Sequence, residues 1–333
     1  MKTSRFKHFL RSTVLGFAVG VMSAHAADSV PVLFGKDEWL FTPYEFATPA
    51  DAQDTSATLQ LLQSANKLFE RKGVALALVI VPSKIRIHAD KLPVDKPLDA
   101  YTNEKYDNAV KALRSGGVNV VNLNEAFLKS PHRTSDTPLF LRLDTHWSPS
   151  GAMLAAETVR SLIDATPALK AALAATKEEQ YALAWNARKI NTRARDLVRY
   201  LPEGSANYAP EQVLPFKVSR VQASQADLLN GGENVGITVI GSSYTNKATG
   251  YPDGLRFTLQ RDLLDISLPV DQGPWFGMES YLKDEAFKTR QPKLIIWEIP
   301  ERELRSPPNN KFRDPRYIMD NAAWLQKITD LLK

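Results

Sequence analysis

The chain of 333 residues has no cysteine. That excludes a thiolate nucleophile, a cysteine-ligated zinc and any disulfide brace. Histidine is scarce, with five residues at 8, 25, 88, 132 and 146. None stands in a His-x3-His or similar ligand spacing, so neither a structural nor a catalytic metal is expected. No cofactor motif is apparent either. Internal repeats and low-complexity linkers are missing, which argues against a solenoid or a string of modules. An excess of charge of one sign is also nearly missing once the start of the chain is set aside. The full chain carries 42 basic and 37 acidic residues, for a net charge of +5. Four of the basic residues, Lys2, Arg5, Lys7 and Arg11, lie in the first segment.

That first segment reads as an export signal. The basic run is followed by an apolar stretch from about Val14 to Met22 and by the small-x-small tripeptide Ala24-His25-Ala26. The apolar stretch is short for a permanent membrane helix. Residues 1–26 are therefore expected to be a cleaved signal peptide and the mature protein to be periplasmic. The remaining chain holds 38 basic and 37 acidic residues. So balanced a chain gives no reason to expect a nucleic-acid partner.

What is present is the pattern of one α/β domain over residues 27–333. The hydrophobic fraction is 44% and the charged fraction 24%, ordinary values for a globular chain with a large core. Gly35 to Phe41 (GKDEWLF) reads as a turn and a strand. Val74 to Val81, Val118 to Leu123, Ile237 to Ile240, Leu263 to Leu268 and Leu294 to Ile299 are short apolar runs. They alternate with helical stretches at 57–72, 106–115, after Ser148-Pro149, and 317–332. Continuous apolar strands between helices predict a mostly parallel sheet covered on both faces. Residues from about 165 to 200 are expected to form a more polar helical insertion.

Two short segments carry candidate chemistry. In Leu143-Asp144-Thr145-His146-Trp147, extended backbone would put Asp144 and His146 on one face, with Thr145 turned away. A carboxylate beside an imidazole fixes its tautomer and stabilises its protonated form. Alone, an Asp-x-His is also what a surface histidine beside a helix start looks like. In Val239-Ile240-Gly241-Ser242-Ser243-Tyr244-Thr245, an apolar strand runs into glycine and hydroxyl residues. Ligands of open α/β sheets bind at such carboxyl ends, where backbone N–H groups can hold an oxyanion. A polar loop after a strand reads the same way. Together the two segments offer one base, one orienting acid and one serine that needs a base. His88 and His132 have no such setting.

With these stretches in view, the chain resembles the periplasmic polysaccharide O-acetyltransferases of the AlgX and AlgJ type. The resemblance is carried by GKDEWLF at 35–41, DTHW at 144–147 with its helix start, GSSYT at 241–245 and IIWEIPER at 295–302. It implies an SGNH-hydrolase-like sandwich with a permuted motif order, acid and base before the serine. It also implies Ser243 as nucleophile, His146 as base and Asp144 as orienting acid. Ser242 stands where relatives have Asp or Thr, which leaves it as a second candidate nucleophile. Glu38 replaces a usual glycine. The implied partners are a polysaccharide acceptor and a membrane-bound protein that passes acetyl groups across the inner membrane. With only a short stretch after WEIPER, the carbohydrate-binding module of some alginate relatives is not expected here. Cellulose or another exopolysaccharide is thus open beside alginate. An acetylesterase and a non-catalytic scaffold are the competing readings.

Secondary candidates surround this core. Ser242 and Tyr244 flank the serine and are candidates for oxyanion or substrate contacts. Trp147 has a face suited to a sugar ring or to core packing. Lys84 and Arg86 follow a strand end and would meet the polymer or water. Arg302 is a candidate substrate contact, or else a structural ion pair with Glu298. The cations Arg188, Lys189, Arg193, Arg195 and Arg199 would grip an anionic polymer or form a solvated face.

Overall fold

The computed structural model describes residues 32–221, 236–268, 272–311 and 313–333. The expected signal peptide lies outside them. Among the described residues, no helix is long and apolar enough to cross a membrane.

The chain opens with a small hairpin, β1 (Leu33–Phe34) against β2 (Leu40–Phe41). Its turn places Asp37 and Glu38 at φ of 54° and 59°. That left-handed backbone favours glycine, so Asp37 and Glu38 hold it at some cost in strain. A helix, Ala52–Arg71, leads to β3 (Ala75–Val81); a second, Ala100–Ser115, leads to β4 (Asn119–Val121).

Helix Pro149–Ala165 starts where Ser148 and Pro149 predict. The Ser148 hydroxyl accepts the Gly151 N–H at 3.3 Å, a cap that contributes about 1 kcal/mol. Ala152, Ala155, Ala156, Val159 and Ile163 form its buried stripe. A side chain at Gly151 would run into the Leu139 carbonyl, so glycine lets the loop before the helix sit close.

The segment expected to be a helical insertion differs. Only Pro167–Ala174 is α-helical there. Next come β5 (Tyr181–Trp185) and β6 (Ile190–Asn191), which pair antiparallel with β8 (Phe216–Arg220) and β7 (Gln212–Val213) respectively. The alternating Tyr-Ala-Leu-Ala-Trp satisfies its backbone across a partner some 35 residues away.

The last part supplies β9 (Ile237–Gly241), helix Tyr251–Leu259, β10 (Leu264–Ser267), helix Gly273–Lys283, β11 (Leu294–Pro300) and helix Asn321–Leu331. The central sheet has five strands in the order β10-β9-β11-β3-β4, every pair parallel. Alternation along β3 divides the core. Ala77, Val79 and Val81 face one layer, which includes helices Pro149–Ala165 and Tyr251–Leu259. Leu76, Leu78 and Ile80 face the other, which includes helices Ala52–Arg71, Ala100–Ser115, Gly273–Lys283 and Asn321–Leu331. Each fully buried aliphatic side chain contributes roughly 1.5–3 kcal/mol relative to exposure. Two filled layers therefore hold the strands rigidly, and their carboxyl ends bring residues 82–88, 241–245 and 298–302 to one edge.

Candidate active site

The edge where β9 ends carries the serine. Ser243 begins a single 3-10 turn, Ser243–Thr245, capped by the Ser242 hydroxyl, which accepts the Tyr244 N–H at 3.2 Å. Across from it lies the loop that carries Asp144 and His146. The three side chains converge. Asp144 Oδ1 lies 2.6 Å from His146 Nδ1, and His146 Nε2 lies 2.7 Å from Ser243 Oγ. An ionised Asp144 can only accept, so Nδ1 is the protonated nitrogen and Nε2 accepts from the serine hydroxyl.

The route to this geometry is not the strand alternation read from the sequence. The 144–146 backbone is bent, and Asp144 Oδ1 also accepts the His146 N–H at 3.0 Å. This is an Asx turn, a local device that aspartate favours. Thr145 is not turned away from the pair. Its hydroxyl sits 3.4 Å from His146 Nδ1 and donates to Asp196 Oδ2 at 2.5 Å. Asp144 is 3% exposed. Burial works to raise its carboxyl. The hydrogen bond and charge of His146 and the backbone N–H groups of Asp196 and His146 outweigh burial and hold it below the usual carboxylate range.

Asp196 escaped the sequence reading. Its N–H donates to Asp144 Oδ2 at 2.8 Å, and its carboxylate accepts the Thr145 N–H at 2.8 Å. It stands in a polar segment with no local motif. Only the tertiary fold brings it to the histidine loop. Asp144, His146 and Asp196 are also the one group among the described residues with metal-ligand proximity. The imidazole nitrogen of that group is already engaged by Asp144.

The loop has few free backbone groups. Glu211 accepts the N–H groups of Arg142 at 2.7 Å and Leu143 at 3.3 Å. The Tyr244 hydroxyl donates to the Thr145 carbonyl at 2.6 Å. Lys84 donates to the carbonyls of Leu40, Arg142 and Asp144 at 2.6, 2.9 and 3.0 Å.

Several expected surface contacts are therefore internal. Lys84 is 1% exposed, and its three bonds match its three N–H donors, so it braces the loop and does not meet polymer or water. Burial pulls its ammonium down to about 8, against the pull of Glu45. Arg86 is buried too. It pairs with Glu301 at 2.5 Å and donates to the carbonyls of Thr102 and Asn103. Trp147 is 1% exposed and packs against the rings of Tyr244 and Tyr251, which leaves no face for a sugar. Tyr244 is buried, with its hydroxyl committed to Thr145. Arg302 lies over the Tyr244 ring, 5.8 Å from its centroid, and is not the hydrogen-bonded partner of Glu298. That carboxylate instead accepts from Ser242 and Thr245. The Ser242 hydroxyl donates to Glu298 at 3.0 Å, while His146 addresses Ser243. The cations at 188–199 follow bent and extended backbone and a 3-10 turn, not a helix. Arg188, Arg193 and Arg199 are exposed there, and Lys189 pairs with Asp136 at 2.5 Å.

Residues 32–301 match the family model of the SGNH hydrolase-like domain, acetyltransferase AlgX. The chain belongs to this family. A protein of Pseudomonas syringae pv. tomato named probable alginate O-acetylase AlgJ is 28% identical over 297 residues, covering 87% of this chain and 73% of that one. The alginate biosynthesis protein AlgX of Pseudomonas putida is 28% identical over 303 residues, covering 89% of this chain and 58% of that one. Among solved structures, the O-acetyltransferase domain of Pseudomonas putida AlgJ superposes with a TM-score of 0.73 at 24% identity. It covers 90% of this chain and 98% of that one. Pseudomonas aeruginosa AlgX gives 0.66 at 19% identity, covering 90% and 68%. These superpositions establish the fold: an SGNH-like α/β sandwich.

Proposed function

We propose that the protein is a periplasmic, serine-dependent O-acetyltransferase that acetylates hydroxyls of an exported polysaccharide. The observation that carries this reading is the unbroken hydrogen-bonded line Asp144–His146–Ser243 at the carboxyl edge of the sheet. The names of the relatives, alginate O-acetylases among them, support acetyl transfer and a polysaccharide acceptor.

In the first step, His146 Nε2 takes the Ser243 proton as Oγ attacks the acetyl carbonyl carbon. The carbonyl oxygen becomes an oxyanion. The Ser243 N–H has no acceptor among the described residues and is the donor best placed for it. Collapse expels the donor's leaving group, which takes the proton from His146, and acetyl-Ser243 remains. In the second step, a sugar hydroxyl gives its proton to His146 and attacks the acetyl-serine. Ser243 Oγ leaves and recovers the proton. Asp144 holds the imidazole in the required tautomer and stabilises its cation throughout. The acetyl group comes from a membrane-bound partner, and the acceptor is alginate, cellulose or a related exopolysaccharide.

The test is an acetyl-ester assay on the purified protein with and without oligosaccharide. Acetylated sugar, lost in Ser243→Ala, is the expected result. Release of acetate that no acceptor alters would make the protein an esterase. No turnover by a folded protein would leave a scaffold.

A further inference from the structure

Glu298 is the one charged residue in β11, and it is 1% exposed. Its carboxylate accepts the Ser242 N–H at 2.7 Å, the Ser242 hydroxyl at 3.0 Å and the Thr245 hydroxyl at 3.0 Å. All three donors belong to the turn that carries Ser243. Gly241 makes the contact possible, since a side chain there would collide with Thr245 Oγ1 and Glu298 Oε2. The Ser242 hydroxyl, held by Glu298, in turn accepts the Tyr244 N–H. The turn is thus wrapped around one acceptor. A carboxylate can take all three donors. All three bonds end on Oε2; a protonated carboxyl is a weaker acceptor for them and carries an O–H that must find an acceptor of its own.

We propose that Glu298 is a positioning residue for the nucleophile: as a carboxylate it holds the 242–245 turn so that Ser243 Oγ meets His146. This rests on the reading of Ser243 as the nucleophile. Glu298 does not touch the reacting atoms. It acts through the turn.

The groups facing Glu298 agree with this role. Arg302, on the turn after β11, favours the ionised form. Tyr244 and Tyr251, from the serine turn and the helix after it, are kept neutral by burial. Glu303 lines the same small cavity, along with Gly241, Leu268, Gly277 and Trp297. Burial pushes the Glu298 carboxyl up to about 7, against the hydrogen bonds of Ser242 and Thr245. Its protonation therefore falls where enzyme assays are run.

Two groups must then be free of an added proton for reaction, the His146 imidazole and the Glu298 carboxylate. The experiment is the pH dependence of kcat/KM for 4-nitrophenyl acetate with the purified protein. Wild type should fall on the acid side with a limiting slope of two. Glu298→Gln should fall with a slope of one, with kcat about tenfold lower and KM unchanged. A role in folding alone would lower the melting temperature and leave slopes equal. A second variant guards against a Glu298→Gln chain that does not fold. Thr245→Val removes one hydrogen bond to the carboxylate and should move the acid limb up by about one pH unit. A slope of one in wild type, equal slopes in both proteins, or an unmoved limb in Thr245→Val overturns the inference. Ser243→Ala in the same assay separates the two claims. Turnover that survives it removes the nucleophile reading and this inference together. Turnover that it abolishes, with equal slopes, removes the inference alone.

Discussion

Asp144→Asn perturbs the proposed mechanism with almost no change in shape. In the native site one carboxylate oxygen takes two donors from His146, its ring Nδ1–H and its backbone N–H, and the other takes the Asp196 N–H. An amide has a single oxygen and cannot serve both sides. With that oxygen toward His146, the new NH2 group opposes the Asp196 N–H, donor against donor. Turned the other way, the NH2 group faces Nδ1, which must then accept, so that Nε2 carries the proton. An Nε2 that already holds a proton cannot take one from Ser243. The wrong tautomer costs about 10⁴-fold in kcat in comparable triads, or about 5 kcal/mol of barrier. The opposed donors cost a further 1–3 kcal/mol, roughly, of folding stability. The assay is acetyl-ester turnover at neutral pH, with circular dichroism as the check on folding. A folded Asp144→Asn protein that kept more than a tenth of the wild-type rate would refute the reasoning.

Three further outcomes follow from the same geometry. Ser242→Ala should keep Ser243-dependent acetylation at a reduced rate, because Ser242 caps the turn and addresses Glu298, not His146; abolition of acyl-enzyme formation with Ser243 intact, read by mass spectrometry, would contradict this. Lys84→Met should destabilise the protein by about 3–5 kcal/mol in urea denaturation, since three buried carbonyls lose their donor; a change under 1 kcal/mol would show that the brace is dispensable. Glu298 sets a pH dependence of stability. Its carboxyl stands at about 7 in the fold against 4.5 ordinarily, so the unfolded chain releases that proton first. The stabilisation is full below about pH 4.5 and lost as pH rises through 7, roughly 3 kcal/mol in all. Glu298→Gln should flatten that decline between pH 5 and pH 8, and an identical decline in both proteins would contradict the assignment.

The parts of the fold that local pattern can encode were readable in advance. The runs at 74–81, 237–240 and 294–299 are β3, β9 and β11, because a strand buried on both faces needs unbroken apolar sequence. The pairing of Asp144 with His146 was readable for a related reason, since two residues apart is a local relation. Its actual device, an Asx turn, was not the one alternation suggested. What could not be read were relations closed over long distances in sequence. Lys84 and Arg86 look like solvated cations after a strand until the carbonyl of Leu40 and the carboxylate of Glu301 close on them. Asp196 has no signature at all, because its partners are backbone and side-chain groups some fifty residues away. Tyr181–Trp185 lies in a stretch whose sequence predicts helix, and it is a strand because its partner, Phe216–Arg220, is also remote in sequence.

The most direct measurement is peptide mass spectrometry of the purified protein, quenched in acid after brief exposure to an acetyl ester. We expect an added acetyl group of about 42 mass units on the peptide containing Ser243, absent from Ser243→Ala and chased off by acceptor oligosaccharide. An acetyl group found only elsewhere, or turnover with no covalent adduct at that serine under any quench, would contradict a route through acetyl-Ser243.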